Sequence, residues 1–374
     1  MDVYKVGGCV RDKLLGIPVT DNDFVVVGST PQEMAQLGFI PVGKDFPVFL
    51  HPQTREEYAL ARSEKKIGLG YHGFTFQTSP DISLIEDLKR RDLTINAIAE
   101  DVHGNLIDPF KGINDLNHKI IRHVSEAFIE DPLRVLRAAR FSAKLDFTIS
   151  PDTLELMKKI VATGELKLLS KERVWTEVHK ALLTDHCENF FRIMHKVHVF
   201  KEIFPEFETF IKNLTQFTFF KTTISQINNS ILDKRFALLY YSVSKNYSLK
   251  DTQQFINNAY ANKSCKNLAI KLTNYYTLLK ELDMLNSENI LKLIIKLDPF
   301  RRTTYYNNFV DLAYIIANAD NDHNTCKNVQ LLEKIIAQFR QINYAEFKSD
   351  KPQEVMAKIY AYRLSIIKTL MEQQ

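Results

Sequence analysis

The chain has few cysteines, no long apolar run, and almost no glycine in its last two thirds. Its four cysteines, Cys9, Cys187, Cys265 and Cys326, lie far apart and form no CxxC pair. This spacing argues against a disulfide framework or a structural zinc site and favours a reducing, cytoplasmic location. No segment approaches 18 uninterrupted apolar residues, so we expect no transmembrane helix. The N-terminus lacks a basic region followed by an apolar one, so we expect no secretory signal.

Glycine divides the chain into two parts. Eleven of the 12 glycines fall within residues 1–112, and only Gly164 lies beyond them. Because glycine supplies turns and close backbone approaches, the first third is predicted to be a turn-rich sheet domain and the rest mostly helical, an α+β fold. At about 100–200 residues per domain, 374 residues suggest two or three domains.

Charge is also uneven along the chain. Residues 1–140 carry 17 basic and 20 acidic residues, and residues 141–374 carry 32 and 25, which together give the net charge of +4. A basic C-terminal part can bind a polyanion such as nucleic acid. An excess of seven charges over 234 residues is weak, however, and charge alone favours a solvated helical surface over nucleic acid binding.

Local patterns support this division. Runs of β-branched and aromatic residues predict strands at 3–6, 23–27, 47–50, 57–61 and 74–78. Thr30, followed by Pro31 and then Glu33, predicts a capped helix start. Apolar residues spaced three and four apart from Phe128 to Leu145 predict one long amphipathic helix.

A pair of glycines near the N-terminus predicts an anion site. Gly7 and Gly8 follow a strand and precede a short helix, expected from Arg11 to Leu15, so backbone N–H groups are exposed at a helix start. Arg11 adds a guanidinium suited to phosphate. Many turns share this pattern, so it is weak evidence alone.

Two aspartates supply the strongest chemical signal. Asp21 and Asp23 begin an otherwise apolar strand, and residues two apart in a strand point to the same face. Paired carboxylates favour a cation between them, and hard oxygen ligands together with a triphosphate suit Mg²⁺. Combined with the glycine turn and Arg11, they indicate a metal-dependent nucleotidyl transfer site. Glu57 is a candidate for a third carboxylate.

Two further clusters carry arginines. Lys89, Arg90 and Arg91 are predicted to begin a helix, where they would oppose the helix dipole unless an anion lies nearby; a solvated basic turn capped by Asp92 is the alternative. In the segment 130–141, Asp131, Arg134 and Arg137 recur at intervals of three, which places acceptors and donors on one helix side. An Asp–Arg pair can hydrogen-bond the edge of a base, although surface ion pairing gives the same spacing.

Six ordered segments resemble a known family. GGCVRD, DND, RRDLTINA, DPFKGINDL (108–116), EDPLRVLRAARF and KERVWTEVHKAL (171–182) resemble the class II tRNA nucleotidyltransferases, the bacterial CCA-adding enzymes of gammaproteobacterial type. The resemblance is close over residues 1–200 and fades beyond them. It implies a nucleotidyltransferase head (1–125), a helical neck that recognises the base (126–200) and a helical body and tail (201–374).

The resemblance implies a reaction and a set of residue roles. The reaction is Mg²⁺-dependent addition and repair of the 3′-terminal CCA of tRNA from CTP and ATP, with release of pyrophosphate and no nucleic acid template. The expected partner is the tRNA acceptor arm and 3′ end, with no membrane and no obligatory protein partner. The implied roles are Asp21 and Asp23 as catalytic metal ligands; Gly8, Arg11, Arg91, Arg137 and Arg140 as nucleotide-binding residues; Asp131 and Arg134 as the base template; 108–115 as a hinge; and 63–73 as a flexible loop needed for A addition.

The chain departs from longer members of this group at one place. Those members carry an HD-type phosphohydrolase domain entered through R-F-A-x-L-x-H-D-x-G-K, and here Tyr241 and Ser242 stand at the His and Asp positions. Neither is a good divalent-metal ligand, so we predict that the phosphohydrolase site is absent. Poly(A) polymerase, a partial CC- or A-adding enzyme and a non-catalytic tRNA-binding protein are the alternative functions.

Overall fold

A mixed sheet forms the N-terminal part of the chain. The computed structural model describes residues 1–42, 48–66, 74–347 and 351–373. Within these ranges the main sheet has the strand order β3-β4-β5-β2-β1-β8-β9, and β6–β7 and β10–β11 form two small pairs. The strands are β1 (Asp2–Val6), β2 (Asp23–Val27), β3 (Ile40–Val42), β4 (Val48–Leu50), β5 (Glu57–Leu60), β6 (Arg62–Lys66), β7 (Phe74–Thr78), β8 (Ala99–Glu100), β9 (Leu106–Ile107), β10 (Ile120–Ile121) and β11 (Thr148–Ile149).

All five predicted strands are present where they lie in the described residues; Pro47, at the start of the third, lies outside them. Strand β2 lies in the middle of the main sheet, between β5 and β1, and both of its faces are covered. Val25 packs into one apolar cluster with Val6 and Leu88, and Val26 packs into another with Met34. Burial of both faces favours the β-branched run that follows Asp23.

Nine helices of the described residues lie in the first of two compact units, Met1–Pro205. Helix α2 begins as predicted, with the Thr30 hydroxyl accepting from the Glu33 amide and the Glu33 carboxylate accepting from the Thr30 amide. Helix α1 starts at Gly8, three residues before the expected start. The helices are α1 (Gly8–Leu14), α2 (Pro31–Gln36), α3 (Leu84–Lys89), α4 (Gly112–Asn117), α5 (Leu133–Leu145), α6 (Pro151–Ala162), α7 (Lys171–Leu182), α8 (Cys187–Lys196) and α9 (Val199–Ile203).

The prediction of one long helix from Phe128 to Leu145 is wrong at its start. Phe128 lies in a separate 3₁₀ turn, 126–130, and α5 begins only at Leu133. Asp131 is extended, with φ −114° and ψ 106°, because the residue before a proline disfavours the helical conformation. Pro132 therefore separates the two apolar segments.

The predicted placement of the basic run 89–91 is also wrong. A capping box formed by Ser83 and Glu86 starts α3 upstream, so Lys89 ends this helix and Arg90 is its C-cap. Cations at a helix C-terminus are stabilised by the dipole, so the basic run does not require a nearby anion. Asp92 caps no helix and pairs with another segment instead.

In the second compact unit, Glu206–Gln374, the regular secondary structure of the described residues consists of helices. Its apolar core includes Phe236, Leu268 and Phe309, which are fully buried. Within the described ranges, every helix is too short or too polar to cross a bilayer. The division of the chain into head, neck and body with tail stays a prediction. The helices are α10 (Pro205–Lys212), α11 (Leu214–Ile224), α12 (Leu232–Ser244), α13 (Leu249–Asn258), α14 (Lys263–Lys280), α15 (Ser287–Leu297), α16 (Thr303–Ala319), α17 (His323–Arg340) and α18 (Pro352–Glu372).

Candidate active site

One cleft of about 840 Å³ in the first unit brings together every predicted site residue. Its size is that of a typical small-ligand site. Among the residues that the structure describes, ten basic and six acidic ones line it, which leaves an excess of positive charge suited to a polyanionic ligand such as a triphosphate. The predicted residues that line it are Gly8, Arg11, Asp21, Asp23, Glu57, Arg91, Asp131, Arg134, Arg137 and Arg140.

Strand β2 positions the two aspartates. Asp23 is its first residue and Asp21 lies in the loop just before it, and both are exposed. The Asn22 side-chain amide between them donates to Glu56 Oε1 at 2.9 Å, which ties the loop to the start of β5. Burial raises the pKa of the Asp23 carboxyl; the Arg91 guanidinium opposes this shift and the Asp21 charge reinforces it. The Asp21 charge therefore acts on Asp23, but Asp21 precedes β2, whereas the sequence predicts both aspartates within the strand.

The donor set of this pair fits a hard divalent cation. No three His, Cys, Asp or Glu side chains converge into a metal cage anywhere in the part of the chain that the structure describes. Mg²⁺ needs no such cage, since it commonly binds one or two carboxylates together with waters and substrate phosphates. Glu57 occupies the position opposite Asp23 in the parallel β2–β5 pair and lines the same cleft.

The glycine turn allows a close approach between segments. Gly7 has φ +76°, a conformation that residues with side chains rarely adopt, and it caps α1. A Cβ atom at Gly7 would lie 3.1 Å from Nη1 of Arg91. The glycine therefore lets Arg91 reach the start of α1. Arg91 Nη2 also lies 3.3 Å from Oδ2 of the fully buried Asp87.

Arg11 is held by three neighbours rather than projecting freely. It is 3% exposed, its Nη1 donates to Asn96 Oδ1 at 2.5 Å, and its Nη2 lies 2.7 Å from Asp12 Oδ1. The guanidinium carbon also lies 5.0 Å from the ring centroid of Phe141. These contacts fix its orientation at the edge of the cleft.

Asp92, which is buried, and Arg137, which is half-buried, form an ion pair between the segment after α3 and helix α5. Arg137 Nε donates to Asp92 Oδ2 at 2.7 Å, and the amide of Asn96 donates to Oδ1 at 3.2 Å. Burial alone would raise the pKa of Asp92, but the Arg137 charge and these hydrogen bonds lower it to about 2. The same pairing raises the pKa of Arg137. Both groups are therefore ionised at neutral pH.

Helix α7 holds two of the predicted residues in place. Arg173 Nη2 lies 2.8 Å from Asp131 Oδ2, and one turn further on Glu177 Oε2 accepts from Arg140 Nε. Asp131 Oδ1 also accepts from the Leu133 amide at 3.0 Å, at the start of α5. One helix thus anchors both the predicted base-reading carboxylate and a predicted nucleotide-binding arginine.

Backbone carbonyls orient Arg134. Its Nη1 donates to the Ala127 carbonyl at 2.9 Å and its Nη2 to the Arg90 carbonyl at 2.8 Å. The residue is 8% exposed and lines the cleft beside Asp131. The guanidinium is therefore fixed by the polypeptide backbone, which preorganises it for hydrogen bonding.

Four residues that support the cleft are not among the predicted site residues: Asn96, Phe141, Arg173 and Glu177. Arg173 and Glu177 lie four apart in the segment KERVWTEVHKAL, a spacing that places them on one helix face. That spacing indicates a shared partner surface, but the sequence does not show which residues they contact.

The structure describes one of the two predicted mobile segments completely and the other only in part. Asp108 accepts from the amides of Gly112 and Ile113 at 2.7 and 2.9 Å, and Asp115 binds the Thr94 hydroxyl at 2.7 Å. Both ends of the expected hinge 108–115 are therefore hydrogen-bonded; its role as a hinge stays a prediction. In the expected flexible loop 63–73, residues 63–66 belong to β6, and 67–73 lie outside the described residues.

The Tyr241 and Ser242 positions lie on helix α12. Ser242 is fully buried and its hydroxyl donates to the Leu238 carbonyl at 2.9 Å. The Lys245 ammonium, one turn further on, lies 3.8 Å from the ring centroid of Phe219 and 5.3 Å from that of Tyr241. The absence of a phosphohydrolase site here stays a prediction.

Comparison with known proteins adds to this geometry. Residues 3–122 match the family described as the poly A polymerase head domain, and residues 146–211 match a probable RNA and SrmB-binding site of polymerase A. Together with the carboxylate pair in a basic cleft, these matches define a nucleotidyltransferase, a class of enzyme that uses a divalent metal ion.

Similar proteins show which kind of nucleotidyltransferase this chain resembles. The CCA-adding enzyme of Coxiella burnetii (strain RSA 493 / Nine Mile phase I) is 41% identical over 99% of this chain and 96% of its own length. A tRNA nucleotidyltransferase solved with a primer tRNA and an incoming ATP analogue is 26% identical, with a TM-score of 0.65 over 90% of this chain and 96% of that one. A tRNA-processing enzyme solved with CTP is 25% identical, with a TM-score of 0.63 over 98% and 96%. The chain belongs to the family of CCA-adding enzymes, which are tRNA nucleotidyltransferases.

Proposed function

We propose that this cleft binds CTP or ATP with Mg²⁺ and transfers CMP, CMP and AMP in turn to the 3′ end of tRNA, building or repairing the terminal CCA. One observation carries the proposal: the Asp21 and Asp23 carboxylates, the arginines and the Asp131–Arg134 pair all line the same cleft. The reaction is in-line attack of the tRNA 3′-hydroxyl on the α-phosphate, with pyrophosphate as the leaving group.

Asp21 and Asp23 would hold the Mg²⁺. The chemistry that the ion supplies when bound is activation of the attacking 3′-hydroxyl and neutralisation of the departing pyrophosphate. The raised pKa of Asp23 supports this role, since partial desolvation and the neighbouring Asp21 charge both disfavour the ionised carboxylate and a bound cation would offset both. Glu57, opposite Asp23, is the candidate for a third carboxylate at the same site.

Five residues would bind the nucleotide. Gly8 and Arg11 would contact the triphosphate at the start of α1, where Gly7 leaves room for Arg91. Arg137 and Arg140 would bind ribose or phosphate from helix α5. Each of these two arginines already has one carboxylate partner, Asp92 or Glu177, so its orientation is set before the substrate arrives. Fixed donors stabilise developing charge without the cost of reorganisation.

Base choice would come from side chains rather than from a nucleic acid template. Asp131 offers an acceptor and Arg134 offers donors, the two functions needed to pair with the Watson–Crick edge of cytosine or adenine. Their anchoring by Arg173 and by backbone carbonyls supports this role, because recognition of a base edge requires fixed hydrogen-bond directions. The segment 108–115 would change the pocket between the C and A steps.

The proposed function also implies how the chain would bind tRNA, where it would act and which activity it would lack. The basic surplus beyond residue 140 would hold the phosphates of the tRNA acceptor arm. Since tRNA is a cytoplasmic molecule, we place the chain in the cytoplasm. Its C-terminal unit would lack phosphohydrolase activity, and detection of metal-dependent phosphatase or 2′,3′-cyclic phosphodiesterase activity intrinsic to this chain would contradict that proposal.

Nucleotide addition to a tRNA transcript without its CCA end tests the proposed output. Purified chain, Mg²⁺ and labelled CTP and ATP are supplied separately and together, and the products are sized on a sequencing gel. We expect two added residues with CTP alone and three with both nucleotides. A ladder with ATP alone would identify a poly(A) polymerase, and a stop after two residues with both nucleotides would identify a CC-adding enzyme. Tight tRNA binding without any addition would identify a non-catalytic tRNA-binding protein.

A further inference from the structure

The ring of Phe141 is shared by three arginines of the cleft. The guanidinium carbons of Arg140, Arg11 and Arg137 lie 4.1, 5.0 and 5.7 Å from its centroid. All three distances fall within about 6 Å, the range in which the negative face of an aromatic ring attracts a cation. The ring is 7% exposed, so these contacts are largely shielded from water.

The three arginines come from two separate segments. Arg11 lies on α1, whereas Arg137 and Arg140 lie on α5 with Phe141 itself. Each has its own carboxylate partner at 2.5 to 2.7 Å: Asp12, Asp92 and Glu177 respectively. These carboxylates hold the arginines one at a time, whereas the Phe141 ring contacts all three. An aliphatic residue would fill the same space without offering a negative face to the cations.

We propose that Phe141 is a positioning residue for nucleotide binding: its ring holds Arg11, Arg137 and Arg140 together as one preformed cationic surface. The inference rests on the proposed function, in which these three arginines bind the incoming nucleotide. Asp131 and Arg134 have their own anchors, Arg173 and two backbone carbonyls. Phe141 therefore affects how tightly either nucleotide binds and leaves the choice between C and A unchanged.

The first test compares Phe141→Leu with Phe141→Tyr. In the Leu variant the KM for CTP and the KM for ATP each rise about tenfold, while kcat stays within about threefold of the wild-type value. The Tyr variant keeps the ring face, so both constants stay within about twofold. Phe147→Leu is the matched control: Phe147 is 6% exposed, and its ring faces no guanidinium within the described ranges. An equal KM rise in Phe147→Leu would reduce Phe141 to an ordinary core residue.

A second variant separates the electrostatics of the ring from its packing, and it decides the matter if Phe141→Leu does not fold. Pentafluorophenylalanine at position 141 keeps the ring shape and reverses the sign of its face. We expect the same rise in KM for both nucleotides, with unchanged cooperative unfolding. An unchanged KM in this variant would overturn the proposal.

A binding measurement separates failure of this inference from failure of the proposed function. CTP binding without tRNA is measured for Arg137→Ala, Arg140→Ala and the fluorinated variant. Wild-type affinity in both arginine variants would refute their assigned nucleotide role and the Phe141 inference with it. Weakened binding in the arginine variants with wild-type affinity in the fluorinated variant would refute the Phe141 inference alone.

Discussion

Glu57 lies directly opposite Asp23 in the parallel pairing of β5 with β2. Paired residues on neighbouring strands place their side chains on the same face of a sheet, so the register brings a further carboxylate to the Asp21–Asp23 pair. The sequence alone offers Glu57 only as one acidic residue on a predicted strand; the strand pairing gives it a neighbour.

The Glu57–Asp23 register predicts a metal-dependent defect. In Glu57→Gln, the Mg²⁺ concentration that gives half-maximal CMP incorporation should rise about tenfold, because a carboxylate that supports the ion directly or through water is neutralised. Incorporation is measured across a Mg²⁺ titration at saturating CTP. Glu172→Gln, an exposed carboxylate of the same unit outside the cleft, is the control and should leave the titration unchanged. Identical titrations for Glu57→Gln and the wild type would exclude Glu57 from the site.

The Arg173–Asp131 pair predicts a defect in nucleotide choice. Arg173→Ala releases one oxygen of Asp131, the proposed base-reading carboxylate, so we expect misincorporation to rise about tenfold while CTP binding changes less. Asp131→Ala and Arg134→Ala should show the same defect more strongly. Competition between CTP, ATP, UTP and GTP on the same tRNA measures the effect, with Lys171→Ala on the same helix as control. An equal loss of activity with all four nucleotides in these variants would argue against the template role.

The Arg140–Glu177 pair predicts a stability effect. Its side chains are 10% and 5% exposed, so Glu177→Ala leaves a buried guanidinium without its carboxylate and should lower the free energy of unfolding by about 3–5 kcal/mol. Glu177→Gln retains an acceptor and should cost less. Trp175, the single tryptophan, is buried on the same helix and reports urea unfolding of this unit by fluorescence. A loss in Glu177→Ala no greater than that in Glu172→Gln would contradict this prediction.

The Asp92–Arg137 pair predicts acid sensitivity. The pKa of Asp92 is about 2 in the folded chain, against about 3.9 for an unfolded aspartate, so its contribution is complete above about pH 4 and is lost as the pH falls through about 2. The difference corresponds to about 2–3 kcal/mol. In Asp92→Asn, unfolding stability followed by Trp175 fluorescence should fall less steeply between about pH 4.5 and about pH 2. The exposed Asp152→Asn should keep the wild-type slope, and an equally steep fall in Asp92→Asn would refute the assignment.

The sequence predicts those parts of the fold that depend on local patterns. The strand 23–27 is recovered residue for residue because its β-branched run suits a strand buried on both faces. The capping signal at Thr30 is recovered because one residue pair satisfies the free amides of the helix start. The start of α5 differs from the prediction because the apolar spacing continues across Pro132, whereas the helix does not. The backbone at Asp131 is extended and interrupts it.

The candidate site likewise contains residues that the sequence predicts and supporting contacts that it does not. Asp21, Asp23 and the arginines were identified from residue type and order, and the structure brings them into one cleft. Their supports depend on contacts between residues far apart in the sequence: Arg11 with Asn96, Asp92 with Arg137, and Asp131 with Arg173. Such pairings are set by tertiary packing, which no local pattern encodes. The placement of Arg90 and Arg91 differs from the prediction for a local reason, because the Ser83–Glu86 capping box starts α3 upstream of them.

The most direct test of the account is CCA addition by Asp21→Ala and Asp23→Ala. The substrate is a tRNA transcript that lacks its CCA end, supplied with Mg²⁺, CTP and ATP, and tRNA binding is measured in parallel. We predict that the wild-type chain adds three residues and that each variant binds tRNA as the wild type does but adds none. Three-residue addition at the wild-type rate by either variant would contradict the assignment of these aspartates as the metal-binding catalytic pair.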